Sequence, residues 1–250
     1  MLPARATERV VIYVVDTIDL ERMEYEAPAD PRLTYATVVD ATTINPDDTL
    51  QNQLLRQGLL IAGNTLVQNP YRPHEYALIS EAAERFALDK FFIFSLLCQH
   101  LGAQAVRIRA LEETRSGRSL TVDVEGGNVL TGMKGHVEGL SAAAQTILSQ
   151  KDLADTFSGA EPNLEAARDM LRTLRLDEDP MLRSLVDSRA NLANPHKTRH
   201  ISVDLTQETA RILAMAAQAT TPAFFKLRAD ASSVADSSVR LRVDYDVTFP

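Results

Sequence analysis

The chain has 250 residues, 45% hydrophobic and 24% charged, which is enough to bury a sizeable core and excludes extended disorder. Its formal net charge of −8 disfavours duplex nucleic acid and anionic lipid surfaces as partners, because both repel an acidic protein. A single cysteine, Cys98, excludes an intrachain disulfide, and neither a signal-peptide core nor an apolar run long enough to span a membrane is found. These features predict a soluble, cytoplasmic protein.

The N-terminal part of the chain predicts two strands and a helix. Residues 10–15 form a β-branched apolar run between charged residues, which is typical of a buried strand. Residues 33–40 show a weaker strand pattern. Leucines at helical spacing then predict a helix over residues 49–68, with Gly58 and Gly63 as its weak points.

A long helix is predicted over residues 74–101. The segment contains no glycine or proline after Pro73, its apolar residues follow the helical period, and Gly102 suits the C-terminal cap. Residues 91–98 are apolar almost all round, so we expect burial on most sides there. Cys98 lies inside this run, which favours a small buried hydrophobe over a catalytic thiolate.

Alternating strand patterns follow the long helix. In the last of them, apolar residues alternate with arginines and aspartates up to the C-terminus, which indicates an antiparallel sheet that is buried on one face and wet on the other. A turn at residues 114–118 joins the first two strands as a hairpin. The predicted strands are 106–110, 120–124, a short one at 133–138, 199–205, 225–230 and 239–249.

Residues 140–193 change character, since alanine, leucine and mixed charges replace β-branched residues. They predict three helices, at about 140–150, 161–175 and 179–192, with an acidic, solvated turn at 177–179. A further helix is predicted at 207–219.

We therefore predict an α+β fold. An antiparallel sheet packs one face on the long central helix at about 74–101, and the helices at about 140–193 are inserted between strand groups. In this interpretation residues 1–139 and 198–250 form one domain, and residues 140–197 form a helical insertion or subdomain.

The residues with the clearest chemical potential lie around the end of the predicted insertion. Arg189, His196 and His200 are close in sequence, with Lys197 and Arg199 between the histidines. An imidazole can shuttle a proton while a guanidinium stabilises developing phosphate charge. The spacing of Arg189 and His196 is similar to the arginine–histidine motif of HEPN-type ribonucleases, although their helical setting is missing. The resemblance implies metal-independent cleavage of RNA or another phosphodiester.

Other sequence motifs argue against most catalytic classes. The histidines and the one cysteine lack zinc-ligand spacing, and the glycines form neither a phosphate loop nor a dinucleotide fingerprint. We therefore predict no metal and no cofactor.

Three functions remain open at this point. The first is a non-enzymatic binding or scaffold component of a cytosolic multiprotein assembly, with a protein partner or self-association. The second is the phosphodiester-cleaving enzyme that uses Arg189, His196 and His200. The third is a membrane-perturbing protein that rearranges residues 119–158, where strand and helix patterns mix as in pore-forming β-proteins, and that meets a membrane surface only afterwards.

Overall fold

The computed structural model describes residues 9–26, 35–43, 45, 47–115, 118–123, 140–149, 155–190, 196–218 and 239–250. The chain divides into two compact units. Unit 1 comprises residues 1–83 and 208–238, and unit 2 comprises residues 84–207 and 239–250. These boundaries differ from those of the predicted domains. The helical insertion predicted at 140–197 lies within unit 2, and its separate folding as a subdomain stays a prediction.

Unit 1 contains a four-stranded sheet in the order β2-β1-β3-β4. The strands β1 and β2 are parallel, whereas β3 pairs antiparallel with β1 and with β4. The strands are β1 (Val11–Val15), β2 (Ala36–Asp40), β3 (Thr65–Gln68) and β4 (Tyr76–Leu78). The helices of this unit are α1 (Thr17–Glu26), α2 (Thr49–Arg56) and most of α7 (Gln207–Gln218).

The central strand β1 is buried on both faces, which explains its uninterrupted apolar sequence. Ile12 and Val14 belong to one core cluster with Leu54 of α2. Tyr13 points to the other face, where its hydroxyl donates to the backbone carbonyl of Ala216 in α7 at 3.2 Å.

Two predicted helix boundaries are corrected by the sheet of unit 1. The helix predicted over 49–68 ends at Arg56, and residues 65–68 form β3. Gly58 and Gly63 have φ of 70° and 92°, a left-handed backbone that ends the helix and turns the chain. The helix predicted from residue 74 begins at Ala82, since residues 76–78 pair with β3 instead. Strand pairing here overrides a helical pattern.

Unit 2 contains an antiparallel sheet in the order β6-β5-β9-β8, with the short β7 beside β5. The predicted hairpin is confirmed as the β5–β6 pair. The predicted strands at 133–138 and 225–230 lie outside the described residues. The strands are β5 (Ala105–Arg115), β6 (Arg118–Asp123), β7 (Asp155–Thr156), β8 (Thr198–Asp204) and β9 (Arg240–Thr248).

The alternation predicted for the last strand is confirmed in β9. Its apolar positions are buried and its charged positions are half-buried or exposed. The helix α3 (Ala82–His100) contacts the buried face, with the ring of Phe94 centred 4.3 Å from the ring of Tyr245. The fold is therefore α+β, with helices packed on mostly antiparallel sheets, as predicted.

The end of α3 is capped as predicted from Gly102. The Gly102 amide donates to the carbonyl of Gln99, and the Ala103 amide donates to that of Cys98, both at 3.0 Å. Gly102 has a φ of 74°, and these two bonds form a Schellman cap. A Cβ at this position would lie 2.0 Å from the backbone oxygen of Ala160, so only glycine fits.

The predicted helices between the strand groups are confirmed, with shorter bounds. They are α4 (Ala142–Ser149), α5 (Leu164–Thr173) and α6 (Pro180–Ala190). The segment 119–158, whose rearrangement was considered, contributes β6, α4 and β7 to the described residues. Over the described part of the chain, no helix has the length and apolar character needed to cross a membrane.

The acidic turn before α6 is not fully solvated, contrary to the prediction. The side chain of Asp179 is 6% exposed and forms an ion pair at 3.0 Å with Lys90 of α3, whose side chain is fully buried. The same carboxylate accepts hydrogen bonds from the amides of Met181 and Leu182 at the start of α6. The cation lies 89 positions away in sequence, so local composition did not reveal it.

Candidate functional site

Arg189, the first residue of the predicted catalytic group, is built into the core of unit 2. It is 3% exposed, and its guanidinium lies 4.2 Å from the ring centre of Phe249. Its Nε donates to the carbonyl of Leu101 at 3.2 Å, and one terminal nitrogen donates to the carbonyl of His196 at 3.4 Å. Burial lowers the pKa of the guanidinium below its usual value. The interactions of Arg189 are those of a packing residue.

The two histidines do not converge on Arg189. His200 lies on β8 opposite Asp246 of β9, and its imidazole Nδ1 is hydrogen-bonded to the Asp246 carboxylate. This pair lies on the outer face of the sheet, because the neighbouring Ile201 and Val247 face the core. Arg189 stacks on Phe249, which belongs to the buried face. The side chain of His196 is exposed, and only its backbone carbonyl meets Arg189.

Of the two basic residues between the histidines, Lys197 is exposed and Arg199 is held by hydrogen bonds within unit 2. Arg199 donates to the carbonyl and hydroxyl of Ser184 at 2.9 and 2.7 Å, and to the hydroxyl of Ser188 at 2.6 Å. These bonds join β8 to α6. The structure therefore separates Arg189 and His200 by the sheet, and the catalytic role proposed for Arg189, His196 and His200 stays a prediction without a shared cleft.

Within the described ranges, no three histidine, cysteine, aspartate or glutamate side chains come together in a group that could bind a metal. A cluster of polar side chains lies where the parallel strands β1 and β2 end. The Asp40 carboxylate there accepts hydrogen bonds from the amide and hydroxyl of Thr42 and from the hydroxyls of Thr17 and Thr43, at 2.7–3.0 Å. These donors occupy the oxygens that a cation would need.

We expect Asp40 to titrate far below an ordinary aspartate. The Thr42 amide and hydroxyl, with smaller contributions from the Thr17 and Thr43 hydroxyls, lower its pKa to about 2. Because the folded pKa is depressed from an unfolded value of about 3.9, the associated stability is present above that pH and is lost as pH falls through about 2. Carbon-detected NMR titration of the Asp40 carboxyl should give this value, and Thr42→Val should raise it. Titration of the wild-type carboxyl near its ordinary value would contradict the assigned hydrogen bonds.

A shallow groove between α5 and α6 carries several arginines. Two of them already have acidic partners: Arg172 lies 2.8 Å from Asp169, and Arg168 lies 3.8 Å from Asp187. The groove therefore presents paired charges, and an incoming anion would have to compete with the chain's own carboxylates.

Exposed apolar side chains of unit 2 lie together on one side of α3, which we call the α3 face and define by Arg85, Leu88, Phe92, Leu96 and Gln99. Phe92 is 51% exposed and Leu96 is 44% exposed, and Leu88 beside them is half-buried. The two polar residues at the ends are exposed. At about 1.5 Å of rise per residue, the three apolar side chains form a continuous stripe of roughly 12 Å.

The opposite side of the same helix explains why this face stands out. Phe86, Lys90, Phe94 and Leu97 are at most 1% exposed. Lys90 contacts Asp179 and Phe94 contacts Tyr245, both in unit 2. The sequence predicted burial of residues 91–98 on most sides, but Phe92 and Leu96 are exposed. The spacing of apolar residues on a second side of α3 was visible in the sequence, but periodicity alone does not distinguish a second buried face from an unpartnered one.

The α+β architecture and the α3 face define a globular protein with an apolar helical surface. The chain matches no protein-family model, and no curated protein or solved structure shows significant similarity to it.

Proposed function

We propose that the chain is a non-enzymatic binding or scaffold component of a cytoplasmic multiprotein assembly, and that it binds a protein partner through the α3 face. The observation that carries the proposal is the exposure of Phe92 and Leu96 side by side on a helix whose opposite side is buried. An apolar stripe of this kind is costly in water and is stabilised when a partner covers it.

The shape and composition of the face favour a protein over a small molecule. A single helix presents a convex ridge, whereas small ligands bind in concave pockets that bury most of their surface. An aromatic residue at the centre, leucines on either side and polar residues at the ends match the apolar centre and polar rim of protein interfaces. Phe92 is the expected main contributor to the binding energy.

The location of the basic residues supports a binding role over phosphodiester cleavage. The guanidinium groups of Arg189 and Arg199 donate hydrogen bonds to backbone carbonyls and serine hydroxyls of unit 2. His200 is engaged with Asp246 on the other face of the sheet. An Arg–His pair that acted on one phosphate would need its two side chains on the same side.

Photo-crosslinking tests the proposal at the residue that carries it. A photoreactive phenylalanine analogue placed at position 92, in cells of the source organism, should crosslink to protein on illumination, because the analogue keeps the aromatic side chain in the proposed contact. The product would be detected by its mass on denaturing gels and identified by mass spectrometry.

The matched control carries the same analogue at Thr121, an exposed position of β6 in the same unit. We expect it to give little product. Two results would argue against the α3 face as the binding surface. One is a yield of crosslinked product at position 92 no higher than at position 121, and the other is an unchanged yield at position 92 after Leu96→Glu.

A further inference from the structure

We infer that the partner of the α3 face is a second copy of this chain, with the two α3 helices packed antiparallel about a two-fold axis at Phe92. This inference rests on the proposed function and names the partner. It is carried by the symmetry of the face and by the side chains at its ends.

The spacing along the face is the same in both directions from Phe92. Leu88 and Leu96 lie four positions before and after it, and Arg85 and Gln99 lie seven positions before and after it. Positions three and four apart share one side of a helix, so all five residues lie within roughly 40° of the Phe92 direction. Because both positions four away from Phe92 are leucines, an antiparallel second copy sets apolar side chains against apolar side chains, as an isologous contact requires.

The apolar centre is self-complementary in the antiparallel arrangement. Phe92 meets Phe92 of the second copy on the axis, and Leu88 packs beside Leu96 of the second copy on either side. The exposed parts of all six side chains then leave water together, which is the main favourable contribution to association.

The ends of the face are also complementary. Gln99 of one copy comes to the level of Glu84 and Arg85 of the other. A glutamine amide offers an acceptor to the guanidinium and donors to the carboxylate, so each end forms polar contacts without an unpaired charge. A parallel arrangement would bring Arg85 next to Arg85 and Glu84 next to Glu84, and this like-charge repulsion favours the antiparallel one.

The net charge of −8 on each copy opposes association at long range. Salt screens this repulsion over a Debye length of about 10 Å at 0.1 M ionic strength, while it leaves the apolar contact intact. The dimer should therefore strengthen as salt is raised, in contrast to a complex held mainly by ion pairs.

Sedimentation velocity over a wide range of protein concentration tests the inference on the purified full chain. The wild type should shift from monomer to dimer as concentration rises, and more salt should move the transition to lower concentration. Phe92→Glu should remain monomeric throughout and stay folded, with a melting temperature close to that of the wild-type monomer at low concentration, because half of the Phe92 side chain is exposed and the rest keeps an edge contact with Phe91. The matched control, Thr121→Glu, should dimerise like the wild type.

Cysteine pairing tests the helix orientation, and the buried Cys98 provides little background. Under mild oxidation, Leu88→Cys mixed with Leu96→Cys should form a disulfide-linked dimer faster than either variant alone. Faster pairing of each variant with itself would overturn the antiparallel arrangement.

A monomeric wild type at every concentration, or a dimer that Phe92→Glu leaves intact, would overturn self-association. If the wild type is monomeric but position 92 still crosslinks in cells to a different protein, self-association fails while the proposed binding function stands. If neither dimer nor crosslink forms, both fail.

Discussion

Lys90→Met should lower the free energy of unfolding by about 3–5 kcal/mol, the cost of leaving one partner of a buried ion pair without the other. The Lys90 ammonium is fully buried and lies 3.0 Å from a carboxylate oxygen of Asp179, which is itself nearly buried. That carboxylate also receives the first amides of α6, so its misplacement would disturb the start of the helix. Chemical denaturation monitored by circular dichroism would measure the loss.

The double variant Lys90→Met/Asp179→Asn provides the control. Asparagine can still accept hydrogen bonds from the amides of Met181 and Leu182, and it carries no charge that needs a cation. We expect the double variant to be more stable than Lys90→Met alone, because no buried charge is left unpaired. A loss below about 1 kcal/mol for Lys90→Met would place the pair among weak surface ion pairs and contradict its buried role.

Arg189→Ala should cost about 2–4 kcal/mol of stability, since it removes buried charge-assisted hydrogen bonds and the stacking on Phe249. Arg189→Lys should also lose most of this stabilisation, because an ammonium reproduces neither the planar stacking nor the fork of donors. The same denaturation measurement applies.

His196→Ala separates the packing role from the catalytic alternative. Its exposed side chain should contribute less than about 1 kcal/mol to stability. If Arg189, His196 and His200 formed a phosphodiester-cleaving site, His196→Ala would abolish cleavage of an RNA substrate while the fold remained intact. We expect no such activity in the wild type. A cleavage activity that His196→Ala eliminates would favour the enzyme over the binding protein.

The strand alternation of unit 2 was predictable because each inward position of β9 is apolar and each outward position is polar. The alternation of apolar and polar residues does not depend on which strands pair with β9, so the sequence predicted the antiparallel sheet correctly.

The unit 1 sheet was harder to predict from the sequence. Its strands β3 and β4 have four and three residues, and the leucines around them also fit a helical period. The pairing of β3 with β1 and with β4 decides between the two.

The polar interactions of the fold were hidden from the sequence because their partners are distant. Lys90 and Asp179 are separated by 89 positions, and Arg189 reaches Leu101 across 88. Local composition instead marked Asp179 as solvated, and it gave no sign of the packing of Arg189 against Leu101 and Phe249. The α3 face was missed for a related reason, since an apolar stripe has the same sequence pattern whether the chain itself or a partner covers it.

The most direct test of the central claim is the accessibility of the α3 face in the native assembly. A single cysteine introduced by Gln99→Cys lies at the edge of the face and leaves Phe92 in place, and its reaction with a maleimide can be timed. We predict fast labelling in the purified, dilute chain and much slower labelling in freshly opened cells of the source organism at native concentration. Adding Phe92→Glu should leave labelling fast in the dilute chain and restore fast labelling in the cells. Equal rates for Gln99→Cys in the dilute chain and in the cells would mean that nothing covers the face, and would contradict the binding function proposed for this protein.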